Sequence, residues 1–278
     1  MAAVILNQSD SKWAFENLAQ MLSRSLWLDV SEHASDLNYI LCTDTELIDS
    51  NLNSFIPLNS IKIASDKTEI EKRFQSYGVT RPATFILQSS QAVESFLKTH
   101  DRNRWILKYP TGCGGIHHRI IQSASEIPKK WPQPFLIQEF IESIQPAVYR
   151  FYCVDSNLFG FNARKFSDPE ISTPWVSHAN GAKYNYEETP NQAATEIAKA
   201  ALLATGLYYS FGVVDLVKNI SGNWYALEVG TDGIYNHVDR ELENDALLDE
   251  LNERLAIAFW KRLGTPPWGQ SWKYKELV

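Results

Sequence analysis

Three cysteines in 278 residues are too few and too scattered to form a covalent or metal scaffold. Cys42, Cys113 and Cys153 offer neither the paired count of a disulfide framework nor the C-x-x-C spacing of a zinc site, so reduced thiols are expected. Basic charge is also short: 26 Lys and Arg against 33 Asp and Glu leave a formal net charge of −7. A sequence-independent nucleic-acid binder needs a concentrated basic face to neutralise phosphates, so that class is excluded, although a local anion site is not. No apolar stretch approaches the roughly 18 to 20 residues needed to cross a bilayer. The opening MAAVILNQSD carries no basic region ahead of its short apolar run. A cytoplasmic location with no membrane partner is expected. Internal repeats, low-complexity tracts and long charge runs are absent as well.

What is present is a chain with 44% hydrophobic residues and balanced charge, enough to bury a core in two or three lobes. Residues 3–7 read as a strand, 11–22 as a helix capped by Ser11, 39–42 as a second strand and 66–74 as a helix stopped near Gly78. Together they make 1–88 a small α/β domain. A strand over 84–87, a helix over 91–98, a strand over 104–108 and another over 119–121 outline a second lobe, assigned to 89–140. The third lobe, 141–278, takes an antiparallel pair (149–154 and 158–164), an Ala-rich helix over 192–205, a hairpin and a closing helix over 245–260. Strands mixed with separate helices, without strict βαβ alternation, make these later lobes α+β. Trp131, Trp175 and Trp224 read as core or lobe-packing residues.

The hairpin is the most informative local pattern. Residues 211–217 (FGVVDLV) and 224–230 (WYALEVG) flank a tight turn. With Ser221-Gly222 as a two-residue loop, opposed residues have numbers summing to 443, so Leu216 faces Leu227, Val214 faces Val229 and Asp215 faces Glu228. One face is apolar. The other sets two carboxylates across from each other, which is destabilising without a counter-charge. A divalent cation supplies one, and hard oxygen ligands suit Mg²⁺, or Mn²⁺ in its place. The alternative leaves both acids on a solvated face, where like charges couple weakly.

A second pattern is WILKYPTGCGGIH at 105–117, a hydrophobic strand ending in Lys108 and running into a glycine-rich turn. Backbone N–H groups in such a turn approach phosphate oxygens closely, and a lysine adds a point charge. No Gly-Lys-Ser/Thr follows, so it is not a Walker A loop, and the G-x-G-x-x-G dinucleotide spacing is missing. His117, His118 and Arg119 either contact anions or form a solvent-facing patch at the loop end. Neighbours on a strand point to opposite faces, so the two histidines do not make a metal pair.

The order of these pieces resembles the ATP-grasp superfamily over nearly the whole chain, within it the glutathione-synthetase and ribosomal-protein-modification type of carboxylate-amine ligase. Residues 233–241 (GIYNHVDRE) are faintly similar to microviridin-type peptide ligases. The resemblance implies an ATP-grasp fold, two α+β lobes gripping a nucleotide between antiparallel sheets behind the N-terminal α/β domain. It implies that Lys67, in ASDKTE ahead of GVTRPAT, reaches the nucleotide phosphates, and that Lys108 holds the α and β phosphates. The loop carrying Gly112, Gly114 and Gly115 closes over the γ-phosphate, and Gln138, Glu139, Phe140 and Ile141 form a hinge whose backbone reads the adenine edge. Arg150 and Arg164, on the strands after the hinge, suit a carboxylate or the transferred phosphoryl group, and with Lys108 they form the implied catalytic set. Asp215 and Glu228 match the metal ligands. Two departures stand out: Gly230 replaces the usual further ligand Asn, for which Asp232 or Asn236 is the substitute, and Val148 replaces an acidic residue before the strand arginine. His178 is a candidate acceptor contact or a surface-loop histidine.

The implied activity joins a small-molecule or peptide carboxylate to an amine through an acyl phosphate, with ATP and Mg²⁺ required and ADP and phosphate released; a homodimer is compatible with it. The alternatives are an ATP-grasp kinase, which forms ADP with no amine, and a non-catalytic ATP-binding protein.

Overall fold

A computed structural model of the chain describes residues 2–8, 15–43, 51–101, 104–112, 117–166, 175–177, 180–186, 189–231 and 246–264. The first sheet is parallel, with β1 (Ala3–Gln8) between β2 (Asp29–Ser31) and β3 (Leu37–Thr43). Helix α1 (Glu16–Leu26) buries Ala19, Leu22 and Leu26, one stripe at helical spacing. The Ser11 cap lies outside the described residues; the helix begins at Glu16, and Phe15 before it makes no side-chain cap.

Two helices follow. The first, α2 (Leu58–Ser65), gave no sequence signal because it spans only 8 residues and starts behind Pro57 without a side-chain cap. Asp66 ends it and caps the second, α3 (Lys67–Ser76), accepting from the Thr68 N–H at 2.7 Å.

The middle sheet is antiparallel in the order β4-β7-β5-β6: β4 (Thr84–Leu87), β5 (Trp105–Lys108), β6 (Arg119–Ile121) and β7 (Phe135–Glu139). Strand β4 thus pairs with β7 although it precedes residue 89. Helix α4 (Ser90–Thr99), capped by Ser89, lays Val93, Phe96 and Leu97 on this sheet.

The last sheet, also antiparallel, has the order β10-β9-β8-β11-β12. Its strands are β8 (Ala147–Val154), β9 (Asn157–Lys165), β10 (Lys183–Tyr186), β11 (Phe211–Lys218) and β12 (Trp224–Gly230). Asp155 and Ser156 join β8 to β9 with φ of 44° and 70°, the doubly positive pair that a type I′ hairpin requires. Helix α5 (Gln192–Thr205) presses Ala194, Ala198, Ala201 and Leu202 against β11 and β12. Helix α6 (Ala246–Leu263) buries Leu247, Leu251, Leu255 and Phe259, and Trp260 Nε1 donates to Leu26 O at 2.7 Å, tying it to α1.

These elements bury two main cores. The first and last sheets share one apolar cluster, while the middle sheet keeps its own, built on Phe96, Trp105, Leu107, Phe135 and Ile137. Where the middle and last sheets face each other the packing is not continuous, and a cleft opens. Among the described residues no helix is long and apolar enough to cross a membrane.

Candidate active site

The hairpin of β11 and β12 forms one wall of the cleft, and its register differs from the expected one in two places that cancel. The loop is Ile220-Ser221-Gly222 rather than Ser221-Gly222: the Asn219 N–H donates to Asn223 O, and the Gly222 N–H to Asn219 O, both at 2.9 Å. Gly222 takes φ +85°, where only glycine is unstrained, and Asn219 Oδ1 accepts from the Ser221 and Asn223 N–H groups. Near the loop Leu216 therefore faces Ala226, not Leu227. A bulge then adds Leu227 to β12 alone, and beyond it Asp215 opposes Glu228 and Val214 opposes Val229, as expected. A regular strand alternates faces, yet consecutive Leu227 and Glu228 both line the cleft, while Ala226 and Val229 are core.

Asp215 is only 2% exposed, so the solvated-face alternative fails for it. The counter-charge expected from a cation comes from arginines. Arg150, directly across on β8, donates Nε to Oδ1 at 2.6 Å and Nη2 to Oδ2 at 2.9 Å; Arg164 of β9 donates to Oδ2 as well. Burial raises the Asp215 carboxyl, but the two guanidiniums outweigh it and hold it below the usual carboxylate range. The carboxylate that these arginines hold is thus one of the chain's own. Glu228 is the open acid, its side chain 37% exposed with Lys67 Nζ 3.6 Å away.

Lys67 opens α3. Its N–H donates to Pro110 O at 2.8 Å and its Nζ to Gly112 O at 2.6 Å, which pins the helix start to the beginning of the glycine-rich turn. Lys108, last in β5, is 7% exposed; burial pulls its ammonium down to about 8, against the opposing pull of Glu228. In the hinge, the N–H groups of Glu139 and Phe140 already donate to Ala83 O and Arg104 O, so they are not free to read a base, and Arg104 lies over the Phe140 ring at 4.4 Å.

The cleft between these walls has a volume of about 530 Å³. Ile106, Lys108, Gln138, Phe140 and Ile141 line one side, and Val148, Arg164, Asp215, Leu227 and Glu228 the other. Trp175 is a cleft residue rather than core, edge-on to His118 at 5.8 Å and to Phe140 at 6.4 Å, whereas Trp224 packs in the core on Tyr149 and Trp131 against Tyr109. His118 also lines the cleft, and burial pulls it down to about 3, so it is neutral and no phosphate cation; His117 and Arg119 face solvent. Sequence reasoning gave no role to Leu227, Trp175 or Ser177 here, because a bulge or a loop's return to a cleft leaves no local pattern. Gly114, Gly115, His178, Asp232 and Asn236 lie outside the described residues.

Two observations bear on what would fill the cleft. Four buried polar atoms of its lining, Gln138 Oε1, His118 Nδ1, Arg164 Nε and Ser177 Oγ, have no hydrogen-bond partner among the described residues. Around Asp215 and Glu228 the four cations Lys67, Lys108, Arg150 and Arg164 outnumber the two acids, a local excess of positive charge suited to a polyanion, while the rest of the lining carries Glu139 and Glu142 against Arg104. For Mg²⁺ the fit is with a single ion. An ionised carboxylate offers about four lone-pair sites; three N–H groups take three at Asp215, leaving one beside the open Glu228. No group of three or more His, Cys, Asp or Glu that could hold an ion occurs among the described residues.

A family model described as an ATP-grasp domain matches residues 64–231. Among solved structures, D-cycloserine synthetase DcsG overlays with TM-score 0.68 at 16% identity, covering 94% of this chain and 99% of that one. The ATP-grasp ligase PsnB complexed with minimal precursor overlays at 0.65 with 11% identity over 93% and 98%. D-alanine–D-alanine ligase from Bacillus anthracis overlays at 0.63 with 13% identity over 95% and 99%. No curated protein sequence matches. At these identities the overlays speak for the fold. The matched segment takes in more than half of the chain, from the end of α2 through β12, including Lys67, Lys108, Gln138, Asp215 and Glu228, and the chain belongs to the ATP-grasp family.

Proposed function

We propose that the chain is an ADP-forming ligase that joins a carboxylate to an amine. The observation that carries this is one cleft between two antiparallel sheets, with a local cluster of cations around Asp215, an open Glu228 and four polar atoms that have no partner among the described residues. In this reading Lys108 and Lys67 orient the ATP polyphosphate. Gln138 and Ile141 receive the base, and Leu227 packs its face from the bulge. Glu228, with one Asp215 oxygen, would hold Mg²⁺ or Mn²⁺, which when bound neutralises phosphate charge. The bound carboxylate attacks the γ-phosphorus in line, giving an acyl phosphate and ADP. Arg164, whose Nε has no partner among the described residues, faces the negative charge that develops when the amine attacks that carbonyl and phosphate leaves. Substrates are a small-molecule or peptide carboxylate and an amine, and the N-terminal domain and two lobes divide as read from the sequence, with β4 moved to the second lobe. The test is ADP release: it must need acid and amine together, and Glu228→Gln must abolish it. ADP formed without an amine would favour a kinase.

A non-catalytic reading has one observation in its favour, Gly230, which gives no side-chain ligand where a second cation is usually completed. Nucleotide binding with no acceptor-dependent ADP release would support it.

A further inference from the structure

Thr84 lies opposite Gln138 in the β4–β7 ladder. Gln138 is 5% exposed and lines the cleft; its Nε2 donates to Thr84 Oγ1 at 3.0 Å and its Oε1 has no partner among the described residues. An amide's nitrogen and oxygen have nearly the same shape, so the neighbours must fix which way it points. The Thr84 hydroxyl carries one proton, and the other two groups it meets, Pro82 O at 2.9 Å and the Glu71 carboxylate, both accept. Burial raises the Glu71 carboxyl, but Arg81, whose Nε donates to Glu71 Oε1 at 2.6 Å, and the Thr84 hydroxyl both pull it back toward the accepting carboxylate. The proton therefore points away from Gln138, and Thr84 meets the amide with a lone pair. Reversing the amide would draw that proton away from both acceptors. Only the NH₂ complements the lone pair, which leaves the carbonyl for the cleft.

Gln138 also opposes Ile106 in the β5–β7 ladder and is the first of the hinge residues, while the cations gather around Lys108, Asp215 and Glu228. A nucleotide with its phosphates on those cations places its base against Gln138. We propose that Arg81, Glu71 and Thr84 lock the Gln138 carbonyl toward the base, so that the site selects a 6-amino over a 6-oxo purine nucleotide. An exocyclic amine donates to that carbonyl, whereas a 6-oxygen sets acceptor against acceptor in a buried place. Gln138 touches the base; the other three are positioning residues. This inference rests on the nucleotide site proposed above.

Calorimetric titration of ATP and of inosine triphosphate, which carries oxygen at the 6-position, tests it with the full chain. The unmodified chain and Thr84→Ser should prefer ATP by about tenfold or more, the cost of an unmatched buried acceptor. Thr84→Val frees the amide to turn, and should bring the two affinities within about threefold, chiefly by improving the inosine nucleotide. If Thr84 were merely structural, Thr84→Val would weaken both nucleotides alike and leave their ratio intact, which overturns the proposal. Gln138→Met should erase the preference through the base contact itself, and its persistence there would equally overturn the proposal. Equal binding by the unmodified chain sinks the selectivity and leaves the nucleotide site standing; binding of neither removes both.

Discussion

Lys108 carries a charge where burial disfavours it. Its folded-state value of about 8 lies below the ordinary 10.5, so the penalty is complete below pH 8, shrinks as pH rises and vanishes above 10.5. Lys108→Met should therefore raise the melting temperature of the unliganded chain at pH 7 while removing its response to nucleotide. Affinity for ATP should also fall as pH rises above 8, because only the charged ammonium attracts phosphate; Lys108→Arg, charged throughout, should flatten that profile in titrations from pH 7 to 9.5. At the other end of the cleft, Arg150→Ala leaves Asp215 buried with Arg164 alone. We expect a loss of about 3 kcal/mol in urea unfolding, largely recovered when Arg150→Met, Arg164→Met and Asp215→Leu are combined, since removing all three charges leaves no orphan. The residue types were legible in the sequence but their partners were not: Arg150 and Arg164 read as binders of a carboxylate, and nothing local said that the carboxylate is Asp215.

The β11–β12 hairpin shows at the element scale what period-two reasoning reaches and what it misses. Alternation of apolar residues placed the two strands and brought Asp215 opposite Glu228. It could not reveal a three-residue loop and a bulge, because each shifts the register by one in opposite senses and the sequence between them looks regular. Gly222→Val forces a side chain into left-handed backbone with open space around it, so the expected cost in urea unfolding is conformational, about 1 to 2 kcal/mol, with ATP affinity unchanged. Deleting Leu227 should restore regular alternation with Glu228 still across from Asp215. The hairpin should then fold, and the loss should fall on nucleotide affinity, since only the wall against the base is removed.

Across the whole molecule, the sequence of pieces from Lys67 to Glu228 identified the fold because most elements there have their own local signal, β7 and β10 excepted, and the comparison with an ATP-grasp domain over 64–231 agrees with it. The cleft was less legible: Trp175 and His118 reach it by tertiary return of loops, and Val148 and Gly230 only mark what is missing. The middle and last sheets pack separate cores, so the two lobes flanking the cleft are distinct packing units. This cleft should bind Mg-ATP through Lys108 and Glu228, and thermal unfolding with and without Mg-ATP tests that most directly. At 100 times its dissociation constant the ligand should stabilise the unmodified chain by roughly 2.7 kcal/mol, seen as a higher melting temperature, and Lys108→Ala and Glu228→Gln should abolish the shift. No shift for the unmodified chain at millimolar Mg-ATP, or an equal shift in both variants, would contradict the account.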